Sequence, residues 1–228
     1  MVKKHRANMT RKKNNEWTTD ILLIDIINFS KLEVKYQLEI INFLTKSYTS
    51  MIEKMLENSK MPLSSLILGY ISTGDGFYCI LNPKLKGYGT ILGLSFNYVS
   101  EYISKKYSYF QGLRIAVHTG KISEFIDILG HKNYIGDGLN DCARYLEIKD
   151  YTISTIMVSD TAYESLKIFL DRYKNFNSLL IEREFKYSSP YIFEDKHGYK
   201  KEGRLVWLRK AGIINPPNTN FNSMLART

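Results

Sequence analysis

Hydrophobic positions change period along this chain in a way that marks out successive elements. The apolar run in Thr19–Ile26, centred on Ile21-Leu22-Leu23-Ile24, predicts a strand buried on both faces. Ser30 with Glu33 three residues later predicts a capping box opening a helix that runs to about Glu57, with Leu38, Ile41, Leu44, Tyr48, Ile52 and Met55 near helical spacing. Leu66 to Thr73 and Phe77 to Leu81 read as two strands around the hairpin signal Gly74-Asp75-Gly76. A helix is expected from about Tyr88 to Lys106, then a strand from Leu113 to Thr119 ending at Gly120, and a separate short strand from Glu124 to Leu129. Gly136-Asp137-Gly138 opens a helix to about Lys149. Thr155 to Val158 is a strand, and Ser159 or Asp160 caps a helix to about Arg172. Leu179 to Tyr187 and Arg204 to Lys210 look like strands around a polar hairpin. The order β-α-β-β-α-β followed by further β, α and β elements predicts an α+β fold, a ferredoxin-like mixed β-sheet covered by helices.

Composition narrows the class. The chain has 228 residues, 44% of them hydrophobic, enough for one domain with a substantial core. We expect a basic disordered arm over residues 1–16, one domain over 17–211 and a C-terminal tail over 212–228. The net charge is +9, and residues 1–16 hold Lys3, Lys4, Arg6, Arg11, Lys12 and Lys13 against Glu16 alone. Such an arm could touch nucleic acid or an anionic membrane, but a solubilising tail is the plainer expectation, and no stable partner of either kind is expected. Cys79 and Cys142 form no metal motif and suggest no disulfide framework. No stretch reaches the roughly 20 apolar residues of a membrane-spanning helix, and no signal peptide precedes the first strand, so a cytoplasmic protein is expected.

Three elements carry candidate chemistry. Asp25 ends a buried strand, where a carboxylate is costly unless paired, hydrogen-bonded or metal-bound. Asp75 sits at a hairpin tip, where Asp-Gly is also an ordinary turn. A second copy, Gly136-Asp137-Gly138, shows how readily that tripeptide recurs. Asn140 and Arg144 are four apart on one predicted helix, so an amide and a guanidinium share a face that could grip phosphate oxygens or simply face solvent.

Taken in order, Asp25-Ile26-x-x-Phe29-Ser30, then Gly74-Asp75-Gly76, then Gly112-Leu-Arg-Ile-Ala-Val-His-Thr-Gly120, then Gly136-x-x-x-Asn140-x-x-x-Arg144, the series resembles the class III nucleotidyl cyclase catalytic domain over about Thr18 to Lys210. The resemblance implies two divalent cations, Mn2+ or Mg2+, held by Asp25, Asp75 and the Ile26 carbonyl. It implies Asn140 orienting the ribose, Arg144 meeting charge on the α-phosphate, and Phe29 and Ser30 beginning a helix under the triphosphate. It also implies a homodimer in which each site takes its Asp pair from one chain and its Asn/Arg helix from the other. His118 and Arg114 fall on a core strand in structural roles. The family uses a Lys near the C-terminal hairpin for the triphosphate; Lys196, Lys200 and Lys201 are the candidates.

The purine cyclases read the base at two positions that here hold Ile71 and Asn133. Ile71 cannot hydrogen-bond a base edge, and Asn133 offers both donor and acceptor, suiting uracil or cytosine. Tyr134, beside Asn133, would narrow the pocket. In lacking the purine readers the chain resembles the pyrimidine cyclases of the Pycsar antiphage system. That implies UTP, then CTP, as substrate and a cyclic nucleotide read by a separate effector. The alternatives are an adenylate cyclase with altered base readers and a catalytically silent cyclase-like binding module. The Gly-Gly-Asp-Glu-Phe signature of diguanylate cyclases is absent.

Overall fold

The computed structural model describes residues 16–57, 63–147, 155–172, 185–194 and 198–208. Residues 1–15 of the basic arm, the C-terminal tail and Lys196 lie outside the described residues, and Glu16, expected to end the arm, opens the first strand. The elements are β1 (Glu16–Ile26), α1 (Val34–Glu57), α2 (Leu63–Leu66), β2 (Ile67–Ser72), β3 (Gly76–Leu81), α3 (Gly89–Lys106), β4 (Leu113–Ile126), β5 (Lys132–Ile135), α4 (Asp137–Leu146), β6 (Ile156–Ser159), α5 (Asp160–Arg172), β7 (Phe185–Tyr187), β8 (Tyr191–Glu194) and β9 (Lys200–Leu208). They build one mixed sheet in the order β2-β3-β1-β4-β6-β9-β7, with β5 pairing on β4 and β8 on β9. Among the described residues only β4 and β6 pair in parallel. This is the mixed α+β architecture that the hydrophobic pattern predicts.

Period-two alternation divides the sheet into two buried faces. Leu22, Ile24 and Ile26 of β1, Cys79 and Leu81 of β3, and Ile115 and Val117 of β4 pack under α1, α3 and α5. Ile21, Leu23, Ile80 and Ala116 point the other way and pack with Cys142, Tyr145 and Leu146 of α4. The central strand is therefore apolar on both sides, which is why it reads as a continuous run in sequence.

Two expectations are corrected. The strand expected to end at Gly120 continues to Ile126. Gly120 is no break: a Cβ there would come within 2.7 Å of the Gly138 Cα and 2.6 Å of His118 Nε2, so the glycine lets α4 approach β4. Ser30 does not cap α1. Phe29–Lys31 form a separate 3-10 turn entered through Asn28 at φ 57°, and α1 starts at Val34. The Gln37 amide stitches the two together, donating to the carbonyls of Phe29 and Leu32 at 3.0 Å each.

Asp20 anchors the core. Its side chain accepts bonds from Gly87 N–H (2.6 Å), Gly89 N–H (2.8 Å) and the Thr119 hydroxyl (2.6 Å), tying the start of α3 to β1 and β4. Burial raises its pKa in spite of those bonds. The native state thus holds the Asp20 proton more tightly than the unfolded chain. Its contribution to stability is complete below the ordinary aspartate range and is lost as pH rises through the raised value. Asp20→Ala is expected to cost about 3 kcal/mol by orphaning the three donors. Asp20→Asn, which can still accept from both glycines, should recover most of this and flatten the pH dependence. Urea unfolding at acid and neutral pH checks both.

Candidate functional site

The site begins where β1 runs out between β3 and β4. Asp25 lies opposite Gly76 on one side and Arg114 on the other. Its side chain shares the α4 face with Ile21 and Leu23, yet only 8% of the residue is exposed. Burial raises its pKa, the Arg114 guanidinium opposes that, and the Asp75 carboxylate adds to it. Arg114 donates from Nε (2.8 Å) and Nη2 (2.5 Å) to the same oxygen, Oδ2. The sequence reading assigns Arg114 a structural role; in the fold its guanidinium engages the site carboxylate itself.

Asp75 is exposed at the hairpin tip. The turn closes through Thr73 N–H to the Gly76 carbonyl (2.9 Å) with Gly74 at φ 95°, and Ile26 N–H donates to the Asp75 carbonyl (2.9 Å). The tip is thereby held against the end of β1, which places Asp75 beside Asp25 and Ile26. Close approach requires Gly76, since a Cβ there would lie 2.0 Å from the Ile24 carbonyl oxygen. Among the described residues no three His, Cys, Asp or Glu cluster as a metal site. Two carboxylates and a strand-end carbonyl are nevertheless an all-oxygen donor set suited to Mg2+ or Mn2+ with water and phosphate completing the sphere. The residues present fit such ions. Phe29 and Ser30 stand next to this end in the 3-10 turn, with Ser30 exposed.

The second cluster is carried by α4. Gly136, at φ 149°, opens the helix where a Cβ would meet the Lys121 carbonyl at 2.6 Å. Asn140 is exposed. Arg144 donates to Asp141 Oδ1 at 2.6 Å, and Lys201 of β9 donates to the same oxygen at 2.9 Å. Asp141 is the residue that sequence reasoning missed, and Lys201 is one of the three lysines it left open. Their pairing joins α4 to β9 across the sheet, and no local spacing encodes it. Lys201 is thus the hairpin lysine that the fold brings to Arg144. The helix is seated over β1 at Ile21, whose carbonyl accepts from Cys142 Sγ at 3.5 Å. Asp25 is four residues further on, about 13 Å along an extended strand. One chain therefore presents the Asp pair and the Asn/Arg helix as two separately mounted groups.

The positions that the resemblance offers as base readers come from different strands. Ile71 of β2 pairs with Tyr78 and packs partly buried on the α4 face. The Tyr134 hydroxyl of β5 donates to the Leu68 carbonyl at 2.8 Å, tying β5 to β2. Tyr134 is 5% exposed, and its ring fills the space where a Cβ on Gly69 would lie, so it forms a wall rather than a hydrogen-bonding reader. The Asn133 amide oxygen accepts Tyr134 N–H at 2.8 Å. His118 is buried, its Nδ1 3.0 Å from Ser159 Oγ and its ring stacked on Tyr145; burial lowers its pKa to about 4. It is neutral and internal, in keeping with the structural role expected of it.

No protein-family model matches the chain, and no curated protein does. Solved structures do. The catalytic core of a rhodopsin-guanylyl cyclase with converted specificity, in complex with ATPαS, superposes with a TM-score of 0.60 at 18% identity, covering 87% of this chain and 100% of that one. The guanylate cyclase domain from Catenaria anguillulae in complex with GTP gives 0.59 at 18% identity, over 86% and 99%. The adenylate/guanylate cyclase/hydrolase from Silicibacter pomeroyi gives 0.56 at 16%, over 87% and 100%. The chain has the class III nucleotidyl cyclase fold. Within that fold Asp25 and Asp75 lie where β1 runs out at one end of the sheet, and Asn140 and Arg144 ride α4, which among the described residues is the helix on the opposite face from α1, α3 and α5.

Proposed function

We propose that the protein is a nucleotidyl cyclase that converts a pyrimidine nucleoside triphosphate, UTP before CTP, to the 3′,5′-cyclic nucleotide and pyrophosphate at a homodimer interface. The convergence of Asp25, Asp75 and Ile26 at one end of a cyclase-fold sheet, with Asn140 and Arg144 mounted apart on α4, carries this reading. Mn2+ or Mg2+ held by Asp25, Asp75 and the Ile26 carbonyl would make the ribose 3′-hydroxyl easier to deprotonate and neutralise the departing pyrophosphate. Arg114 and the backbone N–H groups of Phe29 and Ser30 would then lie toward the triphosphate, the Lys31 N–H being taken up by the Asn28 carbonyl. From the partner chain Asn140 positions the ribose and Arg144 meets charge growing on the α-phosphate, with Lys201 adding positive charge beside it. No residue of the chain needs to form a covalent intermediate.

The β4–β5 connection supports assembly. Asp127 Oδ1 accepts from Leu129 N–H and His131 N–H at 2.9 Å each, building a tight tip. Around that tip Ile126, Ile128, Leu129 and Ile135 are all more than 60% exposed. An apolar arm held out rigidly from a folded sheet suits burial against a second copy.

The pyrimidine assignment rests on Ile71 and Asn133. An isoleucine removes one purine reader, and the Asn133 amide offers a nitrogen donor to a base carbonyl such as uracil O4. The resemblance to pyrimidine cyclases extends the reading to a cytoplasmic second-messenger synthase in antiphage defence, its product taken up by a separate effector. Pyrophosphate release from each of UTP, CTP, ATP and GTP with Mn2+ tests the specificity. UTP is expected to be fastest, and Asn133→Ala to lower kcat/KM for UTP about thirtyfold with little change for ATP. Preference for ATP or GTP in the wild-type protein would assign it to the purine cyclases with altered base readers.

A further inference from the structure

On the face of the sheet away from α4, between α1 and the β2–β3 hairpin, lies a cavity of about 600 Å3. Two stacked aromatic pairs border it. Tyr48 lies on Phe96 with ring centroids 4.1 Å apart, and Tyr70 on Phe77 at 4.9 Å. Leu44 and Cys79 contribute further apolar wall, and among the described residues no charged side chain lines the cavity. The Tyr48 hydroxyl is committed to the Phe96 carbonyl at 3.3 Å. Burial pushes the Cys79 thiol up to about 12 and raises the Tyr48 and Tyr70 hydroxyls, so these groups stay neutral. Thr45 and Thr49, both exposed, set two hydroxyls at the mouth. Protein interiors are ordinarily close-packed, and this volume falls in the range of small-molecule sites.

The walls of the cavity belong to the parts that carry the proposed active site. Its α1 wall is joined through Gln37 to the Phe29–Lys31 turn. Its hairpin wall includes Phe77, two residues from Asp75 and paired with Ile24. A molecule seated there touches both at once, on the opposite face of the sheet from the Asp25 side chain.

We propose that this cavity binds a neutral, ring-bearing, mainly apolar small molecule, and that binding raises turnover by fixing α1 against the hairpin. The site's chemistry excludes several ligand classes. A nucleotide, phosphate or carboxylate finds no cation in the lining. A mainly apolar wall with two aromatic platforms favours flat or alicyclic rings, and the threonine hydroxyls accommodate one or two polar groups at one end. A ligand shifts the enzyme only through a difference in affinity between conformations. A molecule that touches α1 and the hairpin together favours the arrangement in which the two stand as they do here. The regulatory half of the proposal rests on the cyclase reading; the binding half does not.

The test uses the full chain and the neutral fluorescent probe N-phenyl-1-naphthylamine. Wild-type protein is expected to bind one equivalent. Thr45→Trp, which fills the mouth from an exposed helix position, should bind at least about tenfold more weakly. Lys46→Trp, exposed on α1 and outside the lining, should bind as wild type. Thr49→Phe gives a second blocking variant should Thr45→Trp unfold, with circular dichroism as the check. Pyrophosphate release at saturating UTP should rise about fivefold with the probe in wild type and Lys46→Trp but not in Thr45→Trp. Equal probe affinity in all variants, or no saturable binding, overturns the site. Binding lost as protein concentration rises into the dimer range gives the cavity to a second copy and overturns it too. Site-specific binding with unchanged turnover overturns the regulatory half. Site-specific binding by a chain that consumes no nucleotide overturns the cyclase reading and the regulatory half while leaving the binding site intact.

Discussion

Asp75→Ala and Arg144→Ala, each nearly inactive alone, are expected to regain about a quarter of wild-type activity when the two purified proteins are mixed and allowed to exchange subunits. Each variant destroys both sites of its own homodimer. Asp75→Ala removes a carboxylate from the hairpin tip, and Arg144→Ala removes the guanidinium proposed to meet transition-state charge, so each should lose about a thousandfold or more in kcat. In a mixed dimer one site receives the intact hairpin from one chain and the intact α4 from the other, while the second site lacks both groups. Half of the dimers are mixed at equal concentrations, and each has one working site of two. A site complete within one chain would show no recovery at all. The mounting of Asp25 and Asp75 at the end of the β1–β3 pair, and of Arg144 on a helix seated over Ile21, is the reason to expect recovery.

The second large effect is expected at Gly76. An alanine there would put its Cβ 2.0 Å from the Ile24 carbonyl oxygen and 3.0 Å from the Asp25 Cα, both in the backbone of the neighbouring strand. Neither can yield without parting β1 from β3 where Asp25 pairs with Gly76. The bond from Ile26 N–H to the Asp75 carbonyl would go with it. We expect a loss of about 3 kcal/mol in stability and, because ångström displacements of catalytic groups are costly, more than about a hundredfold in turnover. Gly74→Ala is the control. It shares the tripeptide and has φ 95°, but no atom lies within 4 Å of a Cβ there. It should cost about 1 kcal/mol from backbone strain and keep most of the activity. Thermal unfolding and steady-state rates on the two variants separate a close-approach glycine from a turn glycine.

How much of this was legible beforehand follows from the range of the interactions. β1, the β2–β3 hairpin and the helix at 137–146 are visible because local period and turn chemistry carry them: a doubly buried strand is a plain apolar run, and Gly-Asp-Gly is a turn. Gly120 misleads for the same reason. In sequence a glycine after a strand reads as punctuation, whereas here it answers to Gly138 on another element. The start of α1 fails similarly, since Ser30 and Glu33 have capping-box spacing but the chain prefers a 3-10 turn secured by Gln37 from the helix beyond. In the site, the motif order was enough to bring out Asp25, Asp75, Asn140 and Arg144. The Arg114 contact needed the register of β4 against β1, and the Asp141–Lys201 contact needed β9 laid beside α4; neither register has a local signal. The position of Tyr134 against Gly69 is of the same kind, a contact between strands far apart in sequence.

The central claim is ring closure, and the mass of the product tests it most directly. Purified protein incubated with UTP and Mn2+ is expected to yield pyrophosphate and a nucleotide with the mass of cyclic UMP, formed without uptake of water and absent from the Asp75→Ala reaction. A product with the mass of linear UMP, one water heavier, would mean that the site hydrolyses its substrate and would contradict the account.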